Sequence, residues 1–404
     1  MTGLPVDIAK RYLQLAWSTL WPPAGGVARR TWRHYAVAVA LLAGLPLLLV
    51  YHWIGLALDE LLFRGYRSVT VHSPVFVLGV PRSGTTALHR ALARDKRNFT
   101  TFTTWEALFG VSITWHRLWT AVARCDRRMG GPLGAGVRRI ERGVFGAFRD
   151  SHPTALDAPE EDYLVLLPVL ACFGLVLPFP DARCLWRLGR CDAAMARPER
   201  ERLLRFYRRC LQRHLYIHGP DRRLLSKNAA FAPLARSLIA EFPDARVLCC
   251  VREPSHVVSS QLHSIRPALQ ALHGDYRREV LQRRMLSLLA FYQAHLLATL
   301  PERSGPRAVF VANAALRADL AATVVSACRL LDLPVGAAFA AELRAMAAAS
   351  AEASRPASHG LAEHGIARSD VAAAFGDLRA LTDAGAAVTR ADRWPAPCSS
   401  AAAA

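Results

Sequence analysis

The residues best equipped for chemistry stand together in V-F-V-L-G-V-P-R-S-G-T-T, residues 75–86. Val75–Gly79 is a short apolar run ending in glycine, the pattern of a buried strand. Thr85–Arg94 carries Leu88 and Leu92 four residues apart and predicts a helix. A tight loop between strand and helix points backbone N–H groups at an anion, and the helix dipole adds to the attraction. Gly84 lets the backbone approach closely, while Ser83, Thr85 and Thr86 offer hydroxyls. Arg82 brings positive charge into the loop. Gly79 and Gly84 keep the spacing of the phosphate-binding pattern G-x-x-x-x-G-K-[ST], with Thr86 at the hydroxyl position and Thr85 replacing the lysine. That lysine serves the β- and γ-phosphates of a nucleoside triphosphate. Its absence disfavours a nucleotide kinase or NTPase. The shift of charge to Arg82 points to a shorter anion.

A second group lies in V-L-C-C-V-R-E-P-S-H-V-V-S-S-Q-L-H-S, residues 247–264. Arg246–Val251 is another candidate buried strand, Arg252 stands at its carboxyl end, and a helix is expected from Ser255. A guanidinium there grips a phosphate as a fork. Ser260 lies about two turns into a helix and can add a hydroxyl from the side, with Ser259 as its neighbouring alternative. Between these groups runs L-L-S-K-N-A-A-F-A, residues 224–232. Its Lys227 is one of three lysines, with Lys10 and Lys96, in a chain whose other cations are arginines. A proton acceptor is also needed. H-P-T-A-L-D-A-P-E-E-D-Y, residues 152–163, clusters His152, Asp157, Glu160, Glu161 and Asp162. His152 is a candidate general base and the acids a candidate acceptor lining. Their plain alternative is the acidic first turn of a helix.

The order and form of these motifs resemble the sulfotransferases over roughly residues 70–335. The P-R-S-G-T-T form is similar to the branch that holds tyrosylprotein sulfotransferases and many bacterial enzymes. Cytosolic small-molecule members usually carry lysine where Arg82 stands. The resemblance implies 3′-phosphoadenosine 5′-phosphosulfate (PAPS) as co-substrate. Arg82, Ser83, Gly84, Thr85 and Thr86 would hold its 5′-phosphosulfate, and Arg252 and Ser260 its 3′-phosphate. Lys227 would be a cation near the transferring sulfuryl group. Glu106, in Thr104-Trp105-Glu106, stands where that branch carries its catalytic glutamate, so the base is open between Glu106 and His152. No metal is called for in the transfer. The implied fold is α/β, a P-loop-like parallel sheet flanked by helices. One departure is V-A-N-A-A-L, residues 311–316, which lacks the aromatic and acidic residues usual after the last strand. It removes the basis for a further cofactor contact there.

Three regions are expected: a membrane-associated segment at 1–65, a catalytic domain at 66–350, and a helical extension with an Ala-rich disordered tail at 351–404. Residues 36–58 contain no Asp, Glu, Lys or Arg and are long enough to cross a bilayer, for which about 20 residues suffice. Gly44 and Pro46 interrupt that run and His52 weakens its second half. Trp17, Trp21 and Trp32 among Lys10, Arg11, Arg29, Arg30 and Arg33 suit a membrane interface. The positive-inside rule applied to a span would put residues 59–404 outside the cytoplasm. Nine cysteines without any C-x-x-C instead suit reduced thiols in a reducing compartment, without a disulfide framework or zinc site. A re-entrant or interfacial hairpin bent at Gly44–Pro46 reconciles the two and leaves the catalytic domain cytoplasmic; a buried helical hairpin is the alternative.

The net charge of +19 comes from 51 Lys and Arg against 32 Asp and Glu. The arginines are scattered rather than striped with aromatics, which argues against nucleic acid as partner. An apolar share of 52% supplies a core and excludes global disorder. Helices are expected at 198–218, 283–300 and 316–331. Tyr163–Phe179, broken by Pro168 and Pro178, reads as core or acceptor pocket. Together with the N-terminal segment it points to a hydrophobic or lipid-linked hydroxyl acceptor. The competing class is a non-catalytic, membrane-associated nucleotide-binding module, which the complete set of anion motifs disfavours.

Overall fold

The computed structural model describes residues 3–146, 155–352, 360–376 and 388–394. Its strands are β1 (Val75–Gly79), β2 (Phe99–Thr100), β3 (Arg223–Lys227), β4 (Arg246–Val251), β5 (Ala308–Ala312) and β6 (Val388–Arg390). They form one sheet in the order β2-β3-β1-β4-β5-β6, parallel except for the antiparallel edge strand β6. The α/β fold expected from the motifs is the one observed. Strand β1 is buried at every residue, because helices cover both faces and leave no polar alternation. Its side chains still alternate. Phe76 and Leu78 enter one buried cluster with Val247 and Cys249, and Val75 and Val77 the other with Leu88, Leu92 and Leu248. The register sets Val77 opposite both Lys227 and Leu248, and Gly79 opposite Cys250. The carboxyl ends of β1, β3 and β4 therefore lie side by side, where open parallel sheets bind their ligands.

The N-terminal region departs from expectation. Helix α1 (Leu4–Leu20) is followed by α2 (Trp32–Leu62), a continuous helix of 31 residues with Pro46 inside it. No hairpin forms at Gly44–Pro46. Proline lacks the N–H that the carbonyl four residues earlier would accept. Here that carbonyl, Leu42 O, accepts a bond of 2.9 Å from the Tyr12 hydroxyl of α1. The neighbouring helix supplies the donor that Pro46 removes, and the helix runs on.

Helix α2 is long and apolar enough to cross a membrane, yet its buried residues His34, Ala38, Leu42, Leu45, His52, Leu56 and Asp59 form a stripe at helical spacing. Both ends of that stripe are tied to the domain. His34 Nδ1 lies 3.3 Å from His273 Nδ1, and Asp59 receives Arg213 Nε at 2.9 Å. Leu4, Leu15, Leu42 and Leu56 share a buried cluster with Phe76 of the central strand. Residues 3–65 thus pack lengthwise on the domain.

Elsewhere the expected elements shift little. The helices become Arg197–His218, Pro254–His273 and Arg278–Arg303. The 316–331 helix divides into Asn313–Ala318 and Leu320–Leu330, because the Asp319 side chain accepts from Ala322 N and caps a new start. Residues 163–179 form two 3₁₀ segments, Asp162–Val169 and Phe173–Val176, with Val165, Leu166 and Val169 in the core. The sheet also extends past the expected boundary at 350, since β6 pairs with β5. Trp394 packs on Phe310 with ring centroids 4.5 Å apart. The remainder of the expected tail, residues 395–404, lies outside the described residues.

Candidate active site

The loop between β1 and helix α3 (Thr85–Leu92) turns through three left-handed residues: Gly79 at φ 147°, Arg82 at 69° and Gly84 at 103°. A Cβ on Gly79 would sit 2.6 Å from the carbonyl oxygen of Cys250, and one on Gly84 2.5 Å from Asn313 Nδ2. Both glycines are there because the chain passes too close to its neighbours for a side chain. Asn313 Nδ2 donates to Ser83 O at 3.1 Å and props the loop from beyond β5. Ser83 itself is buried, and its Oγ has no hydrogen-bond partner among the described residues. A buried hydroxyl left open inside an anion loop fits a loop that is completed by a bound oxyanion.

The two anion motifs meet. Arg82 Nε donates to Ser260 Oγ at 3.0 Å, and Arg252 Nη1 donates to the Arg82 carbonyl at 2.9 Å. Ser260 is the serine at the site, whereas Ser259 is buried at 1% exposure. Burial lowers the Arg252 pKa, and repulsion from Arg317 and Arg82 lowers it further. Burial also lowers that of Arg82, with Glu161 opposing. Arginine stays charged under such shifts. Arg82, Arg252 and Arg317 therefore form a repelling cationic group, which an anion relieves.

Lys227, at the end of β3, is 4% exposed and connects the loop to the acidic segment. Its Nζ lies 3.3 Å from Thr86 Oγ1, 3.0 Å from a Glu161 oxygen and 3.6 Å from a Glu160 oxygen. Burial raises the Glu161 carboxyl above its ordinary value; Lys227 opposes the rise and Glu160 adds to it. Glu161 still keeps 20% of its side chain open. Asp162 turns the other way, into a buried network with Tyr207, Ser226 and Asn228, and burial pushes its carboxyl up to about 6.

Glu106 sits on α4 (Thr104–Phe109) and contacts neither Lys227 nor the loop in any hydrogen bond or ion pair among the described residues. Its Oε2 accepts from Thr103 N at 2.9 Å and the Thr103 hydroxyl at 2.8 Å, closing a capping box. Its Oε1 meets His116 Nε2 at 3.2 Å and His218 Nε2 at 2.7 Å. Burial pushes the carboxyl up, but the hydrogen bonds from the two histidines outweigh it and hold the group below its ordinary range. The surface position that a helix-start glutamate usually takes is not the one found: Glu106 is 3% exposed.

With this geometry in place, sequence and fold comparisons converge. A profile of the sulfotransferase family matches residues 74–336. The chain belongs to the sulfotransferase family. Its fold is similar to that of the sulfotransferase STF9 from Mycobacterium avium, with TM-score 0.70 and 17% identity over 94% of this chain and 95% of that one. It is likewise similar to the sulfotransferase STF1 from Mycobacterium tuberculosis H37Rv, with TM-score 0.68 and 18% identity over 92% of each chain. No curated protein matches the chain in sequence.

In this sulfotransferase, Arg82, Ser83, Thr86, Lys227, Arg252 and Ser260 come together as one group at the carboxyl ends of the central strands. Thr85 is buried at the start of α3 beside them. Glu106 joins two histidines instead, and His152 lies outside the described residues. Asn313 and Arg317 were not singled out, because V-A-N-A-A-L lacks the family's usual residues. Their signal was an arginine shortly after a strand, the same one that marked Arg252.

Proposed function

We propose that this sulfotransferase moves a sulfuryl group from PAPS to a hydroxyl acceptor, with Glu161 as general base. The observation that carries this reading is the junction of the two anion motifs at Arg82, Ser260 and Arg252, with the Lys227–Glu161 pair alongside. A donor with phosphate at both the 3′ and 5′ positions matches two cationic groups in contact. PAPS supplies an activated sulfate whose leaving group is a phosphate oxygen. Glu161 takes the acceptor proton as the acceptor oxygen bonds to sulfur. The bond from sulfur to the bridging oxygen breaks, and its electron pair leaves on the 5′-phosphate. Arg82 and Lys227 neutralise that developing charge, as preorganised cations do in phosphoryl transfer. Glu161 suits the base because its carboxyl is raised above its ordinary value, partly open, and beside Lys227. Glu106 has both oxygens engaged elsewhere.

The acceptor is a hydrophobic or lipid-linked alcohol, reached at a membrane surface on the cytoplasmic side. Opposite its buried stripe, α2 exposes Leu47, Val50, Ile54 and Leu61. Helix α5 (Ile113–Arg128) packs against α2, and α6 (Pro132–Gly146) follows with Leu133, Val137 and Ile140 exposed at helical spacing. Arg138 and Arg139 flank that stripe. Apolar faces bordered by arginine suit a helix lying in the interface of an anionic bilayer. Seven of the eight cysteines among the described residues are buried and all eight are free, which supports the cytoplasmic placement. The test is transfer of labelled sulfate from PAPS to a total lipid extract, beside water-soluble phenols. Label in the lipid fraction supports this acceptor class, label in the phenols alone replaces it, and label in neither overturns the reading.

A further inference from the structure

Three side chains that the transfer reaction does not use converge on one point. Glu106 comes from α4, His116 from α5, and His218 from the last turn of the helix Arg197–His218. One oxygen, Glu106 Oε1, faces Nε2 of both histidines at 3.2 and 2.7 Å, and all three atoms lie within 4.8 Å of one another. We propose that Glu106, His116 and His218 form a binding site for a divalent transition metal of the zinc class.

The donor chemistry is one carboxylate oxygen and two imidazole nitrogens. This borderline set favours zinc over magnesium or calcium, which take oxygen ligands. Ligands about 2.0–2.2 Å from a tetrahedral zinc stand about 3.3 Å apart. The His116 distance already matches, His218 Nε2 would move outward from 2.7 Å, and the two imidazole nitrogens lie within 4.8 Å of each other. The supporting shell is built. Thr103 holds Oε2 with two hydrogen bonds and leaves Oε1 as the single ligand oxygen. The His116 ring stacks on Trp105 at 4.9 Å. The His218 ring packs on His214 at 4.3 Å, and His214 is fixed by Thr100 at 2.9 Å. Such outer partners orient metal ligands. His218 keeps 28% of its side chain exposed, which gives an ion a way in and leaves a fourth position for water. A bound ion would clamp three helices that meet beside the segment bearing Glu160, since Glu160 N donates to Phe102 O just before α4.

The experiment uses the full chain, treated with a chelator, dialysed, and titrated with zinc chloride against a chromophoric zinc indicator. One equivalent should bind, and the thermal midpoint should rise with zinc. His116→Gln and His218→Gln should each weaken binding at least about 100-fold, beyond the 10–100-fold typical of losing an outer partner. Glu106→Gln is the second probe, because glutamine preserves a capping box while removing the anionic ligand; it too should lose the site. Cys125→Ala, at the exposed cysteine, should bind like wild type. Zinc affinity unchanged in His116→Gln, His218→Gln and Glu106→Gln, or no bound equivalent in the wild type, overturns the proposal.

Discussion

Arg82 donates a 3.0 Å hydrogen bond to Ser260, a residue 178 positions further along the chain. That contact joins the loop after β1 to the helix after β4, so the two anion motifs form one surface. It exists because β1 and β4 are adjacent and parallel, which brings their carboxyl ends together.

Arg82→Ala should lower turnover about 10²–10³-fold, the loss typical of removing one preorganised charge donor from a transition state. Arg82→Lys should keep part of the activity, since a point charge remains without the fork. Steady-state transfer from PAPS measures both. Wild-type turnover in Arg82→Ala would confine the loop to binding.

Glu161→Gln should lower turnover about 10²–10⁴-fold while leaving nucleotide binding in place. The pH dependence has a definite sign. A base works when deprotonated, and burial raises the Glu161 carboxyl above its ordinary 4.5. Activity should therefore fall as pH falls through that raised value, with an acid limb above the usual carboxylate range. Profiles of kcat/KM for wild type and Glu161→Gln check this; an acid limb surviving unchanged in the variant would rule the role out.

Asp59→Ala should destabilise the whole domain by about 3 kcal/mol, the lower end for breaking a buried ion pair. Asp59 is 0% exposed and accepts from Ile113 N, Thr114 N and Arg213. Arg213 retains Glu60 at 3.1 Å, which moderates the loss. Urea unfolding should show a lower midpoint with an unchanged slope. A wild-type midpoint would mean that α2 is an appendage.

Flotation with anionic vesicles should carry the protein upward at both low and high salt, because apolar burial is not screened as surface charge is. Ile54→Glu, on the exposed face of α2, should weaken flotation without changing the thermal midpoint. Complete release by salt would reduce the attachment to electrostatics.

Much of this arrangement could be read from local pattern. Strands β1 and β4 are continuous apolar runs with a glycine or an arginine at the end, and each falls on its expected residues. The two-residue β2 and the three-residue β6 carry no such run. The expected bend at Pro46 followed a sound local rule, but its outcome was decided by Tyr12 on another helix. The Thr104-Trp105-Glu106 match marks Glu106 as a candidate base, yet no local rule says which way a carboxylate turns. His116 and His218, brought in by two other helices, settle that. The E-E-D run likewise reads as one acidic cluster, whereas folding sends Glu160 and Glu161 to Lys227 and Asp162 into the core.

The central claim is that one nucleotide bridges both anion groups, and calorimetric titration of 3′,5′-ADP beside 5′-AMP tests it most directly. Wild type should bind the bisphosphate much more tightly. Arg252→Ala and Ser260→Ala should each erode that preference, by roughly 10-fold or more for the arginine as one charged hydrogen-bonding partner is lost, and leave 5′-AMP binding nearly unchanged. Equal affinity of the wild type for both nucleotides, or equal losses for both in the variants, would contradict the account.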